Sequence, residues 1–224
     1  MMLAIRPPEY FPPIPVWAQM LASDVMVLGD TFQYSRQTCQ NRAKIRTAEG
    51  SAWITIPVSY RFKDPIAAVR MDETDAHWAR QHFLTLQNHY RTSAFFEFYE
   101  PELKAFWDTP CTYLADYAIG SIHLVHRLLG LRTPLIRVSE LPETERNVVA
   151  LLRRFGADAV LSLPEQVAAD VARGFPVMAM DVEIPTYRQT YRGFEGGLSI
   201  LDLLFNYGPE SLSFLKNIHL NRVS

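Results

Sequence analysis

Short apolar runs alternate with longer segments of helical periodicity along this chain. Leu3-Ala4-Ile5 reads as a buried strand that stops at Pro7-Pro8. Pro12, Pro13 and Pro15 hold the next stretch extended or turning, because they donate no backbone hydrogen bond and fix φ. Val16 to Ala22 predicts a short helix with Pro15 in its first turn, and Val25 to Leu28 predicts a second strand ending in Gly29-Asp30. Strand, proline-rich loop, helix and strand together make the grammar of a crossover unit.

Downstream, Trp53-Ile54-Thr55-Ile56-Pro57-Val58 alternates and is rich in β-branched residues, which predicts a strand, and Val69-Arg70-Met71 predicts another. Trp78, His82, Leu86 and His89 follow helical spacing over Ala76 to Arg91, with Asp75 placed to cap that helix. Pro101 to Trp107 predicts a short helix. Asp108 or Thr109 with Pro110 predicts the start of a longer one ending at Gly130. Then come a strand at Leu135 to Val138, a helix at Thr144 to Phe155, a strand at Ala159 to Leu163, a helix at Pro164 to Arg173 and a strand at Val177 to Val182. Ser199 to Tyr207 predicts a last helix, with Ser199 and Asp202 spaced as a capping box. The alternation implies an α/β fold, with a mainly parallel sheet and helices on both faces.

The chain has 224 residues, 48% of them hydrophobic and 21% charged, the profile of one globular domain with a sizeable core. A formal net charge of −2 argues against nucleic acid as a partner, since phosphate neutralisation needs a basic surface. Two cysteines make no disulfide framework, and no spacing suggests a metal site. His123 and His126 lie three apart without a third ligand. No run reaches the ~20 apolar residues of a membrane span, and prolines break up the first 27 residues, so the expected location is the cytoplasm.

The segment following Val25 to Asp30 changes the picture most. Gln33 to Arg42 has almost no apolar content, and it leaves the carboxyl end of a predicted strand, where parallel sheets place their chemistry. Asp30, Gln33, Gln40, Asn41 and Arg42 form a set suited to a polar, anionic small molecule, with Arg42 able to pair bidentately. A solvated loop that bonds to itself is the competing account. Asp30 reads either as a binding or polarising carboxylate or as a turn residue. His82 is the candidate general base or acid, because an imidazole titrates near about 6.5 in water. The alternative is a helix histidine hydrogen-bonded to a carbonyl. Cys39 is flanked by amides and arginines that would activate a thiol. Asp202 is either a cap partner of Ser199 or a buried, paired acid.

Several separated blocks carry a resemblance to the WbqC-like family, which is associated with bacterial surface-polysaccharide loci. They are Arg6-Pro7-Pro8-Glu9-Tyr10-Phe11-Pro12, Asp24 to Asp30 with Gln33-Tyr34-Ser35-Arg36 and Gln40-Asn41-Arg42, Trp53 to Val58, Trp78 with His82 and Tyr90, Ser139-Glu140-Leu141 after Leu129-Gly130-Leu131, and Leu198 to Asn206 with Gly208. Three positions depart from the family pattern. Arg6 stands where the family has glutamine, Ser162-Leu163-Pro164-Glu165 replaces a glycine turn, and Tyr187-Arg188-Gln189 replaces Tyr-Pro-Gln. In such a protein Cys39 is not implied as a nucleophile.

The combined expectation is one WbqC-like domain over residues 1–224, with a Rossmann-like, mostly parallel sheet and a helical insertion over 63–130. The resemblance implies an acyl or aminoacyl transferase acting on an amine, such as that of an amino sugar. His82 and Asp30 would be catalytic, and Arg6, Tyr10, Gln33, Gln40, Asn41, Arg42, Tyr187 and Gln189 would bind substrate. A coenzyme A or acyl-carrier-protein thioester is the plausible donor. A nucleotidyl-type transferase and a non-catalytic binding or assembly protein are the alternatives.

Overall fold

The computed structural model describes residues 1–72 and 77–222, so the predicted cap at Asp75 lies outside the described residues. The main sheet is built from β1 (Leu3–Arg6), β2 (Val25–Leu28), β7 (Leu135–Arg137), β8 (Val160–Ser162), β9 (Val177–Glu183) and β10 (His219–Arg222). The strands lie in the order β10-β9-β8-β1-β2-β7. Neighbours from β9 through to β7 pair parallel, while β10 runs antiparallel on the edge of β9. Counted along the chain, the parallel strands follow the 3-2-1-4-5 order of doubly wound sheets, and the order reverses between β1 and β8. The fold is α/β, as the alternation of elements implies.

The side-chain period of two assigns each strand's residues to opposite faces. Leu3, Ile5, Val25 and Val27 pack with Leu151 of α5 (Val148–Phe155) and with Phe175. Ala4, Met26 and Leu28 turn to the other face, into a larger core with Trp17 of α1 (Ile14–Leu21) and Phe205 of α7 (Ile200–Tyr207). With both faces covered, these strands read as continuous apolar runs, which is why they were visible.

Between β2 and β7 the chain builds a second layer. It holds a hairpin of β3 (Arg42–Thr47) and β4 (Gly50–Thr55), a short pair of β5 (Val58–Ser59) and β6 (Arg70–Met71), and three helices. The helices are α2 (Trp78–Tyr90), α3 (Phe96–Trp107) and α4 (Leu114–Leu128). This layer is therefore partly β, and its apolar residues join the larger core. Arg42 does not end a loop but opens a strand, whose alternation Arg-Ala-Lys-Ile-Arg-Thr buries Ala43 and Ile45. Several predicted boundaries shift. The strand expected over Trp53 to Val58 is divided at Ile56-Pro57, where proline has no donor for a ladder bond. α3 starts one turn earlier than expected and carries Pro101 in its interior. α4 starts at Leu114, because Tyr113 is drawn into a bridge with Arg70. Asn147 caps α5 by accepting from the Ala150 amide, which places its start after Thr144. The last described elements are α6 (Pro164–Ala172), α8 (Ser211–Lys216) and β10.

Candidate functional site

Two turns of irregular chain carry Tyr34 and Arg36 from β2 toward the hairpin, and the antiparallel register of β3 and β4 sets Arg42 opposite Thr55. Asn41 locks this end of the hairpin. Its amide nitrogen donates to the Ile56 carbonyl at 2.9 Å, and the Ile56 amide donates back to the Asn41 carbonyl at 2.8 Å. Beside this end lies a cavity of about 400 Å³, lined among others by Tyr34, Arg36, Asn41, Arg42, Thr55 and Tyr60. The Arg42 guanidinium stacks 4.4 Å over the Trp53 ring, and its Nε has no hydrogen-bond partner among the described residues. The Tyr34 hydroxyl, also buried, has none either. Burial raises the Tyr34 phenol above its ordinary pKa and Tyr60 adds to the rise, with Arg36 and Arg42 pulling against it. Tyr34 is thus a protonated donor at neutral pH.

One wall of the cavity is tied to the helical layer by a chain of buried bonds. Trp107 Nε1 donates to the Tyr10 hydroxyl at 2.8 Å, and Tyr10 Oη lies 3.1 Å from His82 Nδ1. His82 Nε2 lies 3.1 Å from the Thr55 carbonyl. A carbonyl only accepts, so Nε2 carries the proton and Nδ1 accepts from Tyr10. That uses the imidazole's lone pair and sets His82 one residue behind the cavity surface rather than in it. The carbonyl-bonded helix histidine, weighed from sequence as the alternative to a general base, describes this geometry.

Asp30 is fully buried at the end of β2, and its partners differ from those expected. It accepts from Arg137 Nε at 2.6 Å, from the Ser139 hydroxyl at 2.6 Å and from the Ser139 amide at 3.0 Å. Its carboxylate therefore braces the end of β7 and does not orient His82. Arg6, at the end of β1, is equally committed. It donates to Glu9 at 3.0 Å, Gln19 at 3.0 Å and Gln166 at 2.6 Å. Glu165 and Gln166 sit in the first turn of α6, so the segment that replaces the family's glycine turn packs onto Arg6. Ser162, at the end of β8, donates to Asp170.

The remaining candidates lie elsewhere. Gln33 is exposed and bridges Pro65, while Gln40 accepts from the Ser35 amide at 3.0 Å and closes the 35–40 turn. Tyr187 donates to Asp202 at 2.8 Å, and Gln189 exchanges two bonds with the Glu195 backbone. Both belong to a network around Arg46, about 13 Å along β3 from Arg42. Asp202 is the buried, paired acid of the two readings. Ser199 caps α7 alone, accepting from the Leu201 amide, while burial raises the Asp202 carboxyl pKa despite its tyrosine partners. Cys39 is not activated. Burial and the Glu9 carboxylate push its thiol up to about 11, outweighing Arg42 and Arg6. His126 is bound to the Thr133 carbonyl, and no group of three metal-capable side chains exists among the described residues. No helix among the described residues is long and apolar enough to cross a membrane.

Of the residues picked from sequence, the cavity brings together Asn41 and Arg42, with Tyr10 and His82 behind its wall. Tyr34, Arg36 and Tyr60 were not assigned from sequence. The first two stand within the same polar block as Gln33, where an aromatic buried among polar neighbours was the available signal.

A profile of the WbqC-like protein family matches residues 7–214. The "Uncharacterized protein Rv1507c" of Mycobacterium tuberculosis is 30% identical over 211 residues, which cover 86% of this chain and 88% of that protein. No solved structure matches.

Proposed function

The chain belongs to the WbqC-like protein family, and from that premise and the cavity's chemistry we propose that it transfers an acyl or aminoacyl group from a thioester, of coenzyme A or of an acyl carrier protein, onto the amine of a small molecule such as an amino sugar. The observation that carries this reading is the cavity wall, where Tyr34, Arg36, Asn41 and Arg42 stand together with the Arg42 guanidinium stacked on Trp53. In such a transfer the amine nitrogen attacks the thioester carbonyl carbon, and negative charge develops on the carbonyl oxygen. The carbon–sulfur bond then breaks, and the proton lost by nitrogen neutralises the departing thiolate. Donors fixed in advance where charge develops are the largest usual source of rate. Asn41 holds the hairpin end, and His82 and Tyr10 position Thr55.

A nucleotidyl-type transferase on this fold would use the crevice outside the ends of β1 and β8. Arg6, Glu9, Gln19 and Gln166 fill that place with hydrogen bonds to one another. This favours the cavity at the hairpin as the site. The test is amide formation from thioesters and amino sugars, followed by mass spectrometry. Arg42→Ala is expected to lower turnover roughly 100-fold or more, the usual cost of removing one such donor. Equal turnover in the wild type and Arg42→Ala would reject the site. ATP-dependent pyrophosphate release in place of amide formation would reject the reaction.

A further inference from the structure

We propose that the molecule entering the hairpin cavity carries a phosphate or carboxylate group, gripped by Arg36 together with the terminal nitrogens of Arg42. This deepens the transferase reading and rests on the same cavity being its site. Two cations, Arg36 and Arg42, line the cavity, and among the described residues no Asp or Glu does. Both line the same cavity as Tyr34, whose phenol they pull on.

Arg42 is held in a way that suits a ligand. Stacking on Trp53 occupies the face of the guanidinium, and no hydrogen bond or ion pair to the described residues ties its terminal nitrogens, which can read a planar oxyanion. The contrast with other arginines is sharp. Arg6 pairs with Glu9, Arg137 with Asp30 and Arg127 with Glu102, and Arg46 is spent on three backbone carbonyls. Two guanidiniums without a carboxylate, in a concave wall of a chain whose net charge is −2, focus positive potential where a ligand would enter. The Tyr34–Tyr60 ring pair, packed edge-on with 4.7 Å between centroids, adds an aromatic side to that entrance. A molecule with an anionic group next to a small apolar body fits these surfaces.

The probes are inorganic pyrophosphate and succinate, titrated calorimetrically into the full chain at low salt. Saturable binding of one of them is expected, weakening roughly tenfold or more in Arg36→Ala and again in Arg42→Ala, and weakening as salt rises. Pyrophosphate as the tighter probe assigns a phosphate-bearing substrate, and succinate a carboxylate. Arg42→Lys keeps the charge but not the in-plane fork, so it should fall between the wild type and Arg42→Ala. Thermal melts confirm that each variant is folded. No saturable binding of either anion, or binding unchanged in both alanine variants, overturns the proposal. The two readings fail separately. Anion binding without amide formation rejects the transferase, while amide formation from an uncharged thioester and amine, insensitive to Arg36→Ala, rejects the anion site alone.

Discussion

At the carboxyl end of the parallel sheet, Arg6 and Arg137 each meet a buried carboxylate, whereas at the β3–β4 hairpin Arg36 and Arg42 meet none among the described residues. The first region is the place where doubly wound folds hold ligands, since neighbouring loops part there at the point of strand reversal. In this molecule the parting is closed by side chains. Glu9, Gln19 and Gln166 converge on Arg6, and Ser139 and Arg137 converge on Asp30. The second region has open volume, two arginines in its lining and, among the described residues, no carboxylate there. Position in the fold and readiness to bind have separated. The sheet supplies a brace, and the layer inserted between β2 and β7 supplies the space.

The largest effect that tests this contrast is on stability, at Asp30. Asp30→Ala removes the acceptor of three bonds and leaves the Ser139 amide and the Arg137 side chain short of a partner. Breaking a buried charge pair from one side costs about 3–5 kcal/mol, which a urea unfolding curve resolves easily. The folded fraction should still bind the anionic probe at the hairpin. A variant of near wild-type stability that lost ligand binding would instead make Asp30 part of the site, and the comparison would collapse.

Arg6 comes next. Arg6→Gln restores the family's residue but leaves the Glu9 carboxylate buried beside two amides, a loss of about 2–3 kcal/mol. Adding Glu9→Gln should recover most of that loss, because the second change removes the stranded charge. Losses that simply add would show that the two side chains are not coupled and that something else closes the crevice.

Much of the sheet was legible because β1, β2 and β8 are buried on both faces and read as unbroken apolar runs. β1, β2, β8 and β9 all sit where the pattern puts them. The hairpin was not, and the reason is physical. β3 offers only Ala43 and Ile45 on its apolar side and follows without a break on the polar 33–42 block, so Arg42 read as the end of a loop and not as the start of a strand. The same polar block hid the site. Asp30 and His82 stood out as the titratable residues in good positions, yet a carboxylate at a strand end and an imidazole on a helix serve bracing equally well, and only partners tell the two uses apart. Both turn out to be saturated by protein groups. Tyr34 is quiet in the sequence and becomes conspicuous only once its hydroxyl is found buried without a partner.

That hydroxyl gives the smallest effect, and the one that separates bracing from binding most cleanly. A buried polar atom with no hydrogen bond carries its desolvation cost without return, so Tyr34→Phe removes a penalty rather than a bond. The ring still packs edge-on against Tyr60. Stability should stay level or rise by up to about 1 kcal/mol, read as an unchanged or higher midpoint in urea, while turnover falls with the lost donor. At Asp30 and Arg6 the opposite sign is expected, stability lost and the hairpin's ligand retained. If Tyr34→Phe were destabilised like Asp30→Ala, the hydroxyl would have a structural partner after all, and the hairpin end would be one more brace.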